Sequence, residues 1–386
     1  MKIGRITKVL EDKDRKETLI ECDENRKIVI SFYYPIDESF KEDRQALYMD
    51  LYSPREDEFI NRFKGMVASG NEKEKENFIK ELKTNIYNNA PISKEEKSYP
   101  VIIQLTGLGA PRDYITFNIE KLVSEGYVVF TIGHAYDNML TVLPNGEILE
   151  IPDKDLTQEE KIDILNIREK DVLFMLNQLE KLNKEDDFMK DKLDLEKIGL
   201  IGHSLGGAAV FNACKTDSRV KAVALFDASL QFFNLEEDIK EGKTLEMPLL
   251  NFRRDGFDYK SSIQMFIDIM KEHFDGEKFK NEIIIYDKVL RDSEENQRKI
   301  YKYVTSYKSF IKLKDSNHIT FTDYSMLAGK EMEGTILPVE KSHEIINNIT
   351  IRFFNEFLCG KQGAYSEFIK NDEYVTLIDE NGEDIK

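Results

Sequence analysis

Five short, wholly apolar runs constrain this chain most: VIIQLTG (101–107), YVVFTIG (127–133), IGLIG (198–202), KAVALFD (221–227) and MPLLNF (247–252). Helix-compatible stretches separate them. Strands apolar on both faces, alternating with helices, belong to a parallel sheet buried on both sides. The predicted class is therefore α/β, with a mostly parallel central sheet covered by helices on both faces. Between the second and third runs, Leu165, Val172, Leu176 and Leu179 fall on one face of a long helix. RKIVISFYYP (26–35) alternates apolar and polar residues and stops at a proline, which reads as an antiparallel strand opening the sheet. YKSFIKLK (307–314) reads as the last strand, and Ile345, Ile349, Phe353 and Phe357 dock a terminal helix.

One large domain of 1–386 is expected. Residues 55–90 form a charged, helical insertion, two helices broken at GMVASGNEKEKENF, too short and too polar for a core of its own. It is a candidate lid, although core packing explains the same apolar residues. APISKEEKSYP (90–100) closes it, and 361–386 is a polar tail without a pattern.

The third run leads into KIGLIGHSLGGAAVFNACK (197–215), where glycines crowd one serine at the end of a strand. In such sheets ligands bind beyond the carboxyl ends of the strands. A serine in a sharp strand-to-helix turn points its hydroxyl out of the sheet, and the turn brings backbones together. Gly202 and Gly206 stand where a Cβ would clash. The helix N-terminus offers free N–H groups to an oxyanion. Ser204 is thus a candidate nucleophile.

A serine hydroxyl needs a base, and the base an orienting acid. Of five histidines, His203 lies inside the turn and reads as packing, while His134 ends an earlier strand and is expected at the site mouth. His273 and His343 sit in helical patterns among charges and read as solvent-facing. His318, in the polar loop after the last predicted strand, is the candidate base. For the acid, spacing leaves Asp227, closing KAVALFD, level with Asp255 and Asp258 in LLNFRRDGFD.

GHSLGGAA, ALFDASL and SNHITFTD resemble the triad segments of the platelet-activating-factor acetylhydrolases of the plasma and type II branch, members of the α/β-hydrolase superfamily. FYYP, APISKEEKSYPVIIQLTGLGA, HAYDNMLTVLPNG and IREKDVLFMLNQLEKLN extend the resemblance over about 26–325. It implies Asp227 as the acid. It also implies an oxyanion hole made of the backbone N–H groups of Leu108 and Leu205. This chain has Thr106-Gly107 where the family usually has His-Gly, which changes the support of that loop. The implied activity is serine-dependent hydrolysis of short or oxidised acyl esters of phospholipid-like substrates. The rivals are a general short-chain carboxylesterase or lipase and a silent binding protein on the same scaffold.

Charge narrows the partners. A formal net charge of −18 repels phosphate backbones, so nucleic acid is not expected and a small-molecule ester is. No run of apolar residues reaches membrane-spanning length and MKIGRITKVLEDKDRKE lacks a signal core, so integral membrane contact is not expected and the expected location is cytoplasmic, with secretion the alternative where a leader has been removed. Oligomeric state is not legible. Cys22, Cys214 and Cys359 lie far apart, matching neither a disulfide framework nor a zinc pattern. No ligand cluster for a metal is visible, and serine hydrolysis requires no metal or other cofactor. Gly107 and Gly109 lack the third glycine and the acidic partner of a dinucleotide loop. DSEENQRK (292–299) reads as a solvated face.

Overall fold

All five apolar runs become neighbouring strands at the centre of one sheet. The structure, a computed structural model, describes residues 2–37, 39–41, 44–273, 276–328 and 337–385. Its strands are β1 (Lys2–Lys16), β2 (Asn25–Ile36), β3 (Ile86–Asn88), β4 (Tyr99–Leu105), β5 (Val128–His134), β6 (Thr141–Val142), β7 (Ile148–Leu149), β8 (Leu193–His203), β9 (Val220–Phe226), β10 (Leu249–Arg254), β11 (Lys308–Leu313) and β12 (Val375–Leu377). The helices are α1 (Glu56–Phe63), α2 (Glu72–Glu81), α3 (Thr116–Ser124), α4 (Gln158–Glu185), α5 (Leu205–Cys214), α6 (Glu236–Lys240), α7 (Tyr259–His273), α8 (Gly276–Tyr303), α9 (Tyr324–Ala328) and α10 (Val339–Phe357).

Among the described residues ten strands form one sheet in the order β12-β11-β10-β9-β8-β4-β5-β2-β1-β3, and β6 pairs with β7 apart from it. From β11 to β5 every neighbouring pair is parallel. Successive side chains on these strands enter different cores. Val101, Ile103 and Leu105 of β4 pack with α4 and α5, whereas Ile102 packs with α3 and α10. Both faces are covered, which is why these strands carry no polar alternation. Leu165, Val172, Leu176 and Leu179 of α4 are all buried, as are Ile345, Ile349 and Phe353 of α10.

The edges depart from the sequence reading. β1 pairs antiparallel with β2, from Lys2 opposite Ile36 to Asp12 opposite Arg26, although its charged sequence hides it. β2 runs on through Pro35, which lies past the last residue paired with β5, so the missing N–H breaks no bond on that side. The 361–386 segment is not a structureless tail. Tyr365, Ile369 and Ile378 are buried, and β12 adds antiparallel to β11, so β11 is not the last strand. In the 55–90 insertion, the predicted break already holds the first residues of α2. Phe59, Phe63 and Ile79 are buried in the core shared with α3 and α10. DSEENQRK lies in α8 and is solvated only in part: Asn296 is buried and its amide donates to Leu230 O at 2.8 Å. No helix among the described residues is long and apolar enough to cross a membrane. Cys22, Cys214 and Cys359 are all unpaired.

Candidate active site

β8 ends at His203 and α5 begins at Leu205, leaving Ser204 alone in the turn with φ 54° and ψ −123°. A side-chain-bearing residue in that region is strained and persists only where its surroundings fix it. Here the backbone does the fixing. Ser204 N–H donates to Phe226 O at 3.1 Å, and Ser204 O accepts from Gly207 N at 3.0 Å and Ser229 N at 2.9 Å. A Cβ on Gly202 would stand 2.4 Å from Gly206 O, and one on Gly206 2.4 Å from Thr106 O. Both glycines are therefore sterically required for the first turn of α5 to close against β8 and the loop after β4.

Two further strand ends meet this serine. His318 follows β11 and Asp227 follows β9. His318 Nε2 lies 3.1 Å from Ser204 Oγ, and His318 Nδ1 lies 2.6 Å from Asp227 Oδ2. An ionised carboxylate only accepts, so Nδ1 carries the proton and Nε2 is free to receive the serine's. The Asp227 side chain is fully buried, while that of His318 is 43% exposed. Burial pushes the Asp227 carboxyl up, but Arg253 and Arg254, with His318, outweigh it and hold it well below its ordinary range. Arg254 Nη1 reaches the same Oδ2 at 2.9 Å, and Arg253 Nη2 lies 3.4 Å from Oδ1.

The His318 loop is braced separately. Asn317 Oδ1 accepts from Ile319 N and Thr320 N, both at 3.1 Å. Asp255, one of the alternative acids, accepts instead from Asp315 N at 3.0 Å and so holds the loop without touching His318. Asp258 accepts from Ser261 N at 2.9 Å in the first turn of α7. His203 Nε2 donates to His318 O at 3.0 Å beneath the ring. Burial first, then His318, lowers the His203 pKa to about 3, so it is a neutral brace.

The remaining histidines are accounted for differently than the sequence suggests. His134 is not at the site mouth: it is fully buried, with Nδ1 2.8 Å from Asp171 Oδ2 in an ionic cluster that includes Arg26. His343 is not solvent-facing, because its ring stacks on Phe117 at 3.6 Å and Nε2 meets Ser325 Oγ at 3.0 Å. Burial lowers its pKa to about 4. His273 ends α7, and its side chain lies outside the described residues.

On the other side of Ser204 lies the loop after β4. A Cβ on Gly107 would be 3.1 Å from Ser204 Cβ and 3.5 Å from its Oγ, so this backbone touches the serine. Leu108 follows, partly exposed, and Leu205 opens α5, where an N–H has no partner in its own helix. Thr106 Oγ1 donates to Ala110 O at 3.0 Å, bracing the loop from within.

A cavity of about 670 Å³ opens from Ser204 and His318. Its apolar wall comes from Phe257, Met265, Ile269, Tyr286, Val289 and Leu290. Thus α7 and α8 supply the covering helices, and no residue of 55–90 lines this cavity. The sequence placed His273 in a helical pattern but did not show that these helices cover the site, nor that two arginines flank Asp227. The only signal was the pair of arginines in LLNFRRDGFD, next to two carboxylates.

A family model described as "Platelet-activating factor acetylhydrolase, isoform II" matches residues 16–382. A probable 1-alkyl-2-acetylglycerophosphocholine esterase of Arthroderma benhamiae is 27% identical over 132 residues, covering 34% of this chain and 32% of that one. A platelet-activating factor acetylhydrolase of Canis lupus familiaris is 24% identical over 330 residues, covering 76% and 64%. The chain therefore spans between about a third and two thirds of the length of these relatives. A ferulic acid esterase from Streptomyces cinnamoneus, solved at 2.4 Å, superposes with a TM-score of 0.71 at 20% identity, covering 98% of this chain and 96% of that one. That likeness places the fold among the α/β-hydrolases.

Proposed function

The chain belongs to the platelet-activating factor acetylhydrolase isoform II family, and from that premise we propose that it is a serine carboxylic-ester hydrolase with Ser204, His318 and Asp227 as its triad. The observation that carries this reading is the continuous hydrogen-bond path from Ser204 Oγ through the His318 ring to Asp227, 3.1 Å and 2.6 Å long.

In the proposed reaction Ser204 Oγ attacks the ester carbonyl carbon while its proton passes to His318 Nε2. The carbonyl oxygen takes up negative charge and accepts from the N–H groups of Leu108 and Leu205. Collapse breaks the bond to the alcohol, which leaves with the proton from His318. Water then gives a proton to Nε2 and adds to the acyl carbon, and the acid departs as Ser204 recovers its proton. Asp227 stabilises the imidazolium in both halves and stays ionised.

The substrate class we propose is a phospholipid-like ester with a short or oxidised acyl chain. Support comes from the family, from the relatives' names, and from a cavity whose volume and apolar wall suit more than an acetyl group. Asp258 and Glu294 add negative charge to that wall, which suits a cationic head group. The test is a panel of unactivated esters: an sn-2 acetyl glycerophosphocholine, its long-chain sn-2 analogue and triacetin. A kcat/KM at least tenfold higher on the first is expected. Equal rates on the first and third would make the protein a general short-chain carboxylesterase. No turnover of any ester would make it a silent scaffold.

A further inference from the structure

Arg168 of α4 is fully buried and reaches under the loop that lies against Ser204. Its Nη1 donates to Thr106 O at 2.7 Å and its Nη2 to Gly107 O at 3.2 Å. The adjacent edge of the same guanidinium, which shares Nη2, is held by Asp137, with Nε 2.6 Å from Oδ2 and Nη2 bonded to Oδ1. Both side chains of this pair are fully buried. Asp137 also holds the loop by its main chain: Gly109 N–H donates to Asp137 O at 3.1 Å, and Met139 N–H returns to Gly109 O at 2.7 Å.

A buried ion pair of this kind brings little net stability, since removing two charges from water offsets most of their attraction. Its placement, on two consecutive carbonyls of one short loop, calls for another account. In a trans peptide the carbonyl and the following N–H lie in one plane and point in opposite directions within it. Arg168 draws Gly107 O toward α4, so the Leu108 N–H in the same plane faces away from α4. A cation on the carbonyl also polarises that amide and strengthens its N–H as a donor. A planar fork can grip two carbonyls and a carboxylate together, which a lysine ammonium cannot do with the same geometry.

We propose that Arg168, fixed by Asp137, is a positioning residue for the oxyanion hole: by gripping Thr106 O and Gly107 O it aims the Leu108 N–H at the developing oxyanion. This rests on the reading of Ser204 as nucleophile and of Leu108 as a donor. It also supplies the loop with a support from outside, where Thr106 Oγ1 braces it from within.

Two variants test it. Arg168→Lys keeps the charge and loses the fork. Arg168→Met combined with Asp137→Leu removes both charges, so no ion is left buried alone and folding is protected. Losing a well-aimed oxyanion donor lowers kcat by roughly 10²–10³. Both folded variants should lose about that much kcat on p-nitrophenyl acetate with KM within threefold of the parent. Affinity for a trifluoromethyl ketone, which forms an oxyanion on Ser204, should fall in parallel, while affinity for the product alcohol should not. A folded variant with kcat within threefold of the parent overturns the proposal. So does a loss shared equally by the ketone and the alcohol, which marks a merely structural role. Ser204→Ala, run beside them, separates the premises: if it stays active the whole site reading fails, and if only the Arg168 variants stay active this inference alone fails.

Discussion

Gly202→Ala is a small change with a calculable consequence. The added methyl would sit 2.4 Å from Gly206 O, 2.6 Å from Gly206 C and 2.6 Å from Gly207 Cα. All three are backbone atoms, so no side chain can swing aside. Ordinary contact begins at 3.4 Å, and relief of the shortest contact moves the first turn of α5 by about 1 Å. That turn carries the Leu205 N–H and abuts Ser204. A displacement of about 1 Å at a reacting group lowers turnover on the order of 10²-fold. Overpacking in a tight core destabilises by about 1–3 kcal/mol. Activity on p-nitrophenyl acetate and urea unfolding of the purified variant read both effects. Gly65→Ala, at a glycine with nothing within 4 Å of its would-be Cβ, is the control and should match the parent in both. A Gly202→Ala protein within threefold of the parent in kcat and equal in stability would refute the view that backbone contact across this turn fixes the nucleophile.

Asp227→Asn keeps the size of the acid but removes its charge and admits the wrong imidazole tautomer, so kcat should fall on the order of 10³–10⁴-fold. Asp255→Asn, at a carboxylate that accepts from the backbone of Asp315 and of Gly256 and not from His318, should lose less than about tenfold, and similar losses in the two variants would contradict the assignment. Acid stability should carry the mark of His203, whose buried ring titrates at about 3 in the native state and near 6.5 when unfolded. Its stabilising contribution is complete above the unfolded value and declines as pH falls from about 6.5 toward 3, reaching a loss of about 2 kcal/mol at pH 5. Asp323, pushed up to about 6 by burial, acts in the opposite sense, and comparison with a variant cancels it. Urea unfolding of His203→Gln should lose less stability between pH 7.5 and 5 than the parent by that amount; parallel pH profiles would contradict this. The depressed Asp227 lowers stability only as pH falls through its unfolded value of about 3.9 and below, outside this window.

The central strands were legible because burial on both faces leaves a run of apolar residues that no loop or surface helix imitates. Ser204 stood out as a candidate because the glycines around it answer a steric demand local to the turn. His318 emerged from its place after a strand, since a base has to arrive at the same sheet edge. The acid was not legible from spacing, because β9 and β10 end side by side; the resemblance favoured Asp227, and in the structure Asp227 meets the His318 ring while Asp255 holds the loop backbone. The outer strands β1 and β12 were hidden because backbone pairing holds an edge while its side chains stay polar. His134 and His343 misled for the opposite reason. A place at a strand end, for His134, and charged sequence neighbours, for His343, say nothing of the partners Asp171 and Phe117 that burial brings to them. Arg168 and Arg254 were visible in IREKDVLFMLNQLEKLN and LLNFRRDGFD, but not as the partners of Asp137 and Asp227, because those come from other loops.

The most direct test of the account is covalent. The protein is treated with a fluorophosphonate probe, digested, and the modified residue located by mass spectrometry, with Ser204→Ala and His318→Ala as companions. One adduct is expected, on Ser204, absent from Ser204→Ala and slowed on the order of 10³-fold or more in His318→Ala, with ester hydrolysis lost in step. An adduct on another residue, or a folded Ser204→Ala protein that still hydrolyses esters at the parent's rate, would contradict it.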